Sequence, residues 1–200
     1  RVLFRSPFLT EHPGNPSGAH GAARAAKTAL EAAREAIADR VGARPGEIVL
    51  TGGGSEADNL AVKGAAWAAR ADDPALDGIV TTGIEHKAVL GAAQRLALEG
   101  FRVSEVRGTG SGTVDLDALA EVLDERTAVV SVMLVNNETG IVQPLAAVAE
   151  LVRARAPRAV LHTDAVQAPQ WLDLRAATAP ADLVALSGHK FGGPKGAGVL

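Results

Sequence analysis

Residues 128–139 read Ala128-Val129-Val130-Ser131-Val132-Met133-Leu134-Val135-Asn136-Asn137-Glu138-Thr139, an almost unbroken apolar run that stops at a polar cluster. A strand with one wet face alternates apolar and polar side chains, whereas a strand covered on both faces is apolar throughout. The pattern predicts a central, doubly covered strand over 128–135. Working outward, similar short runs stand at 47–51, 78–82, 101–106, 159–163 and 183–187. Helical patterns separate them, over about 21–41, 56–70, 87–98, 115–123 and 144–155. Pro144 opens the last of these, where a first helical turn tolerates it. Strands alternating with helices predict an α/β fold with a doubly wound, mostly parallel sheet and right-handed crossovers.

In such sheets ligands bind beyond the carboxyl ends of the strands. Five polar clusters fall there: Thr51 to Glu56, Glu85-His86, Asn136 to Gly140, Asp164 to Gln167, and Ser187 to Lys190. Their convergence on one sheet edge predicts an active site.

Composition narrows the function classes. The chain has 200 residues, 47% hydrophobic and 22% charged, enough for one sizeable globular domain. A net charge of −3 with scattered basic residues gives no footprint for nucleic acid or an anionic membrane. No apolar run approaches the roughly 20 residues that cross a bilayer. Arg1 to Ser6 is too short for a secretory core, so a cytoplasmic protein is expected. Cysteine is absent, which excludes disulfides, thiolate metal sites and a thiol nucleophile within these residues. Histidines and carboxylates show no metal-ligand spacing, and no metal site is expected.

Each cluster has a chemical reading beside a plainer one. In Thr51-Gly52-Gly53-Gly54-Ser55, glycines let a ligand approach the backbone, and the following helix start with the Ser55 hydroxyl suits a phosphate. A tight turn with Ser55 as helix cap is the alternative. Asp164, if buried, needs a partner, and a protonated pyridinium nitrogen is one; capping a short helix is the other reading. Gln167, three residues on, could reach the same ring's phenolic oxygen. Lys190 directly follows an apolar strand in a glycine-rich turn, a poor place for a surface lysine. A partly desolvated lysine near cations has a lowered pKa and can form a Schiff base. Ser187 and His189 could add phosphate donors, while Lys195 fits an ordinary surface role better. His86 is either structural or a ring-stacking proton shuttle. Asn137 offers an amide to cofactor and substrate carboxylate. His12, His20 and His162 carry no such case.

Gly14-Asn15-Pro16-Ser17 with His20, Thr51 to Asn59, Glu85 to Leu90, Val135 to Gly140, His162 to Gln167, and Ser187 to Lys190 with Gly193 to Gly196 stand in that order. Taken together they resemble the cysteine desulfurases, fold-type-I, class V aminotransferase-like enzymes that depend on pyridoxal 5'-phosphate. The resemblance runs from about Gly14 to Leu200. It implies the family's large, cofactor-binding domain over 14–200, incomplete at its C-terminal end and without the small C-terminal domain. A partly non-native or small-domain segment is expected over 1–13. By position, the resemblance implies Lys190 as the lysine of the internal aldimine, Asp164 at the pyridinium and Gln167 at the phenolic oxygen. It implies His86 stacked on the ring, Gly54, Ser55, Ser187 and His189 at the phosphate, and Asn137 near the substrate.

The resemblance further implies that L-cysteine is converted to L-alanine. Sulfur would leave as a persulfide on an enzyme cysteine and pass to a sulfur-acceptor or scaffold protein for iron–sulfur cluster assembly or tRNA thiolation. A homodimer is expected on the same ground. Two departures matter. The family has Ala-Thr where Gly54-Ser55 stand, and Ser keeps the hydroxyl. The persulfide cysteine and the substrate-carboxylate arginine belong to the family's later part, beyond Leu200, so these residues alone are expected to be inactive. A selenocysteine lyase or another class V aminotransferase would share Lys190 and Asp164. A non-catalytic protein that kept the fold fits the absence of cysteine. A Rossmann-like nucleotide domain using the 51–55 loop leaves Ser187 to Lys190 unexplained.

Overall fold

The computed structural model describes Glu11 and residues 14–200, and the segment expected over 1–13 lies outside the described residues apart from Glu11. The chain forms two compact units, residues 1–49 and 50–200. The first contains helix α1 (Gly21–Val41). His20 opens it, its Nδ1 accepting from the Ala23 N–H at 3.3 Å, and Gly42 closes it at φ 76°, a conformation glycine adopts freely. A 3₁₀ turn over Pro45–Glu47 follows. The sequence pattern places a strand from Glu47, but Glu47 is spent in that turn, its carboxylate taking the Arg44 N–H at 2.7 Å and the Arg44 guanidinium. Pairing begins only at Leu50.

The second unit runs β1 (Leu50–Thr51), α2 (Gly54–Asp72), β2 (Gly78–Thr82), α3 (Lys87–Leu98), β3 (Arg102–Val106), α4 (Leu116–Val122) and β4 (Thr127–Ser131). It continues with α5 (Leu145–Arg155), β5 (Val160–Asp164), α6 (Leu174–Thr178), β6 (Leu183–Ser187), a 3₁₀ turn over Gly188–Phe191, and β7 (Gly198–Val199). The sheet order is β1-β7-β6-β5-β4-β2-β3. Strands β3, β2, β4, β5 and β6 are parallel neighbours, while β7 is antiparallel to both β6 and β1. The fold is therefore α/β with a mostly parallel, mixed sheet, as the alternation predicts.

Every residue of β2 and of β4 is buried, which is why their sequences do not alternate. Small residues on α2, among them Ala57, Ala61 and Ala66, are fully covered and let that helix lie close to its neighbours. Val89, Ala93 and Leu96 of α3 pack into the same core with Ile79 and Val129. The outer strand β3 is mostly exposed and carries Arg102, whose guanidinium pairs with Asp77 at 2.9 Å and with Asp124 at 3.1 Å. Charge on an outer strand discourages edge-to-edge pairing. No described helix is long and apolar enough to cross a membrane.

Strands β4, β5 and β6 succeed one another in one direction, while β3 lies on the other side of β2. The order therefore reverses between β2 and β4, the position at which open parallel sheets leave a crevice for ligands.

Candidate active site

The pattern-predicted strand over 128–135 stops pairing as a ladder at Ser131, and the residues after it remain buried. Their backbone groups are satisfied one at a time. Val132 N donates to His162 O at 3.1 Å and Leu134 N to Asp164 O at 2.9 Å. Met133 N donates to the Glu85 carboxyl at 2.6 Å, and Thr82 Oγ1 donates to the same oxygen at 2.9 Å. Glu85 thus splices the end of β2 to the chain leaving β4. Asn136 does the same for the next turn, its Oδ1 accepting from Glu138 N and Thr139 N and its Nδ2 donating to Ile84 O. Asn137, beside it, is left exposed on the wall of a cavity.

That cavity, about 590 Å³, is lined by residues from all five sequence clusters. Asp164 ends β5 on its wall, 5% exposed, with Oδ1 accepting from Val166 N at 2.9 Å. Burial pushes its carboxyl above the usual range, against the pull of that N–H and of the nearby His86 and Lys190 side chains. Val166 and Gln167 line the wall just beyond.

A second wall is the glycine loop. Gly53 precedes α2 at φ 154°, and no side chain caps the helix, so Ser55 is not its cap but its second residue, exposed to the cavity. The first N–H groups of a helix have no acceptor within it. A Cβ on Gly54 would stand 2.8 Å from Val166 Cγ2 and 3.3 Å from Ser187 Cβ. A Cβ on Gly198 of β7 would stand 2.5 Å from the Gly53 carbonyl carbon, so two backbones touch here. The result is a shallow cradle of N–H groups and hydroxyls that favours an anion.

The third wall follows β6. Ser187 is buried, and its Oγ lies 2.9 Å from His189 Nδ1. The 3₁₀ turn Gly188–Phe191 carries Lys190 into solvent-accessible space on the cavity, and Gln170 Nε2 holds its carbonyl at 2.6 Å. His86 caps α3, with Nδ1 accepting from Ala88 N at 3.1 Å. Its Nε2 remains for the cavity.

All nine residues expected at the site, Gly54, Ser55, His86, Asn137, Asp164, Gln167, Ser187, His189 and Lys190, line this one cavity. Lys195 is exposed, as a surface role requires, and also stands on the rim of this cavity. Asp58 also lines it and had no signal of its own, because its proximity depends on how α2 packs on the sheet. Ligand atoms of Asp58, His86 and Asp164 lie within 4.8 Å of one another. They come from three elements, so no local spacing could announce the group. Burial and the Asp164 charge push the Asp58 carboxyl up to about 8, and a protonated carboxyl is a poor metal ligand.

The model of the class-V aminotransferase family matches residues 4–200. The chain belongs to the class-V aminotransferase family. Among its members, a cysteine desulfurase of Cereibacter sphaeroides is 44% identical over 196 residues, covering 97% of this chain and 49% of that protein. A solved NifS-like protein superposes with a TM-score of 0.91 at 37% identity, covering 96% of this chain and 52% of that one. SspA, solved in complex with cysteine, superposes with a TM-score of 0.89 at 38% identity, over 97% of this chain and 55% of that one. The chain spans about half the length of the curated relatives it matches.

Proposed function

We propose that the cavity holds pyridoxal 5'-phosphate and that the protein is a cysteine desulfurase, turning L-cysteine into L-alanine. The observation that carries this reading is the placing of Lys190 and buried Asp164 on one cavity whose second wall is a glycine-lined helix start. The residues present fit the group. Asp164 is a buried carboxyl that accepts from Val166 N and lines the cavity, so a protonated ring nitrogen bound there would give it a cationic partner. Gly54 has no Cβ where one would intrude on the cradle.

When bound, pyridoxal phosphate supplies an electron sink for the substrate carbon beside the amine. Lys190 Nζ would hold it covalently and, once released, move a proton at that carbon. The first-turn N–H groups of α2, with Ser55, Ser187 and His189, would bind the phosphate. Asp164 would keep the ring nitrogen protonated and Gln167 would donate to the phenolic oxygen. His86, its Nδ1 fixed by Ala88 N, would stack on the ring and present Nε2 as the proton-carrying atom. Asn137 would orient the substrate carboxylate.

Sulfur passes from cysteine to a thiol, R–SH, which becomes R–S–SH as alanine is left, so atoms balance without an oxidant. These 200 residues contain no cysteine, so the receiving thiol comes from outside them. A sulfur-acceptor protein and a second copy of the chain complete the proposal. Trp171, 76% exposed, and Phe191, 44% exposed, support pairing, since Gln170 ties their two segments together beside the cavity.

The test is spectroscopic. The purified protein should take up pyridoxal phosphate, turn yellow, and form alanine from cysteine. Lys190→Ala should lose the colour on dialysis. A colourless wild type in excess cofactor overturns the cofactor reading, and a yellow protein that makes no alanine from cysteine overturns the substrate.

A further inference from the structure

Beside Asp164 stands a buried polar pair, Asp58 and His162, that the proposed chemistry does not use. His162 and Asp164 are two residues apart on β5 and so project from the same face of the sheet. His162 is fully buried and Asp58 almost so. Asp58 Oδ1 and His162 Nε2 face each other at 3.6 Å, and neither has a hydrogen-bond partner. On its other side, His162 Nδ1 lies 2.9 Å from Ser131 Oγ, which fixes the imidazole.

Two carboxyl groups within 4.8 Å of one another in a dry interior cannot both ionise cheaply. Their surroundings decide which one keeps the proton. Asp164 has the Val166 N–H and the Lys190 charge in its favour. Asp58 has no such donor; it faces a neutral imidazole, Asp164 and the distant Glu85 carboxyl, and the His86 ring nitrogen within 4.8 Å of it lies within the same distance of Asp164. We propose that Asp58 and His162 are a positioning pair: Asp58 stands as the neutral acid, its O–H directed at His162 Nε2, so that the cluster's negative charge resides on Asp164 at the cavity. Ser131 Oγ accepts from His162 Nδ1–H and completes the line. Burial moves both groups the way this requires, Asp58 up to about 8 and His162 down to about 3. The proposal deepens the pyridoxal phosphate reading, because it assigns how the carboxylate beneath the ring nitrogen is kept charged.

The experiment is done on the protein without cofactor. Asp58 protonated in the fold and ionised when unfolded makes stability fall as pH rises from about 4 to about 8. His162, neutral in the fold, acts oppositely and only below about 6.5, where the free imidazole titrates. Urea unfolding of wild type and Asp58→Asn is compared across pH 5 to 9. The variant should gain on wild type by up to tenfold in the folding constant per pH unit up to about pH 8, and no further above it. A purely structural Asp58 shifts stability equally at every pH, and a parallel pair of curves overturns the proposal. Should Asp58→Asn fail to fold, carbon NMR of the wild-type Asp58 carboxyl decides it: titration above neutrality supports the pairing, and titration in the ordinary carboxylate range overturns it. A protein that binds no pyridoxal phosphate removes the cofactor reading and leaves this titration intact, so the two failures are distinguishable.

Discussion

Glu85 sits where β2 ends and the buried chain beyond β4 begins, and replacing it by Ala removes the acceptor of two buried donors. Met133 N–H and Thr82 O–H both point at one Glu85 oxygen, at 2.6 and 2.9 Å. A buried donor left bare costs about 1–3 kcal/mol. Thr82 can turn its hydroxyl elsewhere, but the Met133 amide cannot. Against this, the variant loses an acid whose pKa burial and the Asp164 charge push up. The net expected loss is about 2–4 kcal/mol, a large share of a typical stability of roughly 5–15 kcal/mol. Urea denaturation at pH 7 measures it. Glu85→Gln retains a carbonyl oxygen for both donors and should lose less than half as much. The pH dependence adds a sign. Burial raises the folded pKa of Glu85, so its contribution is full below the unfolded value and is lost as pH rises through the folded one. Glu85→Gln, which cannot titrate, should therefore improve relative to wild type as pH rises from about 4.3. A loss below about 0.5 kcal/mol for Glu85→Ala, or a Gln variant as damaged as Ala, refutes the splice.

Other substitutions test other walls of the cavity. Gly54→Val places a branched side chain where a Cβ alone already meets Val166 at 2.8 Å, and should weaken pyridoxal phosphate binding at least about tenfold in an absorbance titration, a change of roughly 1.4 kcal/mol. Gly193→Ala brings a Cβ to 2.8 Å from the Gly188 carbonyl oxygen, so the turn carrying Lys190 must shift; borohydride trapping of the cofactor on Lys190 should slow while circular dichroism stays native. Arg102→Ala removes contacts to Asp77 and Asp124, but its side chain is 45% exposed, so the loss in a urea melt should stay within about 1 kcal/mol and shrink at high salt.

The sheet and the edge on which the site lies were legible because both follow from local pattern. Continuous apolar runs at 78–82 and 128–131 mark strands covered on both faces, and the polar residues after each run must fall at the carboxyl end of a parallel strand. Lys190, Asp164 and His86 could be assigned to one cavity on that rule alone. Asp58 and His162 resisted it because they depend on distances between elements. Asp58 is one helical turn beyond Gly54, and only the close seating of α2, allowed by Ala57 and Ala61, brings it to Asp164 and His162. His162 looked unremarkable as a lone histidine in an apolar strand, and its meaning comes from Asp58. Strand β1 is short because Pro45 starts a 3₁₀ turn that absorbs Glu47, a local signal outweighed in sequence by the apolar Ile48, Val49 and Leu50. Asn136 and Asn137 divide the labour that sequence assigned to Asn137 alone: one organises the turn, the other faces the cavity.

The acids at this site are there for two reasons at once, and that doubling accounts for their tolerance in a dry interior. Where the β4 ladder stops, backbone N–H groups would be left bare, and Glu85 accepts from Met133 just as Asp164 accepts from Val166. Each carboxyl therefore offsets part of its own desolvation by closing the backbone around the crevice. The remainder is offset unequally. Burial raises all three carboxyls, and only for Asp164 is it opposed by the nearby Lys190 charge, which fits the proposal that Asp164 carries the negative charge. Strand ends that merely needed hydrogen-bond acceptors could use Gln for Glu85 and Asn for Asp164. A carboxylate held in so dry a place makes sense where it meets something positive, and Asp164 lines the cavity.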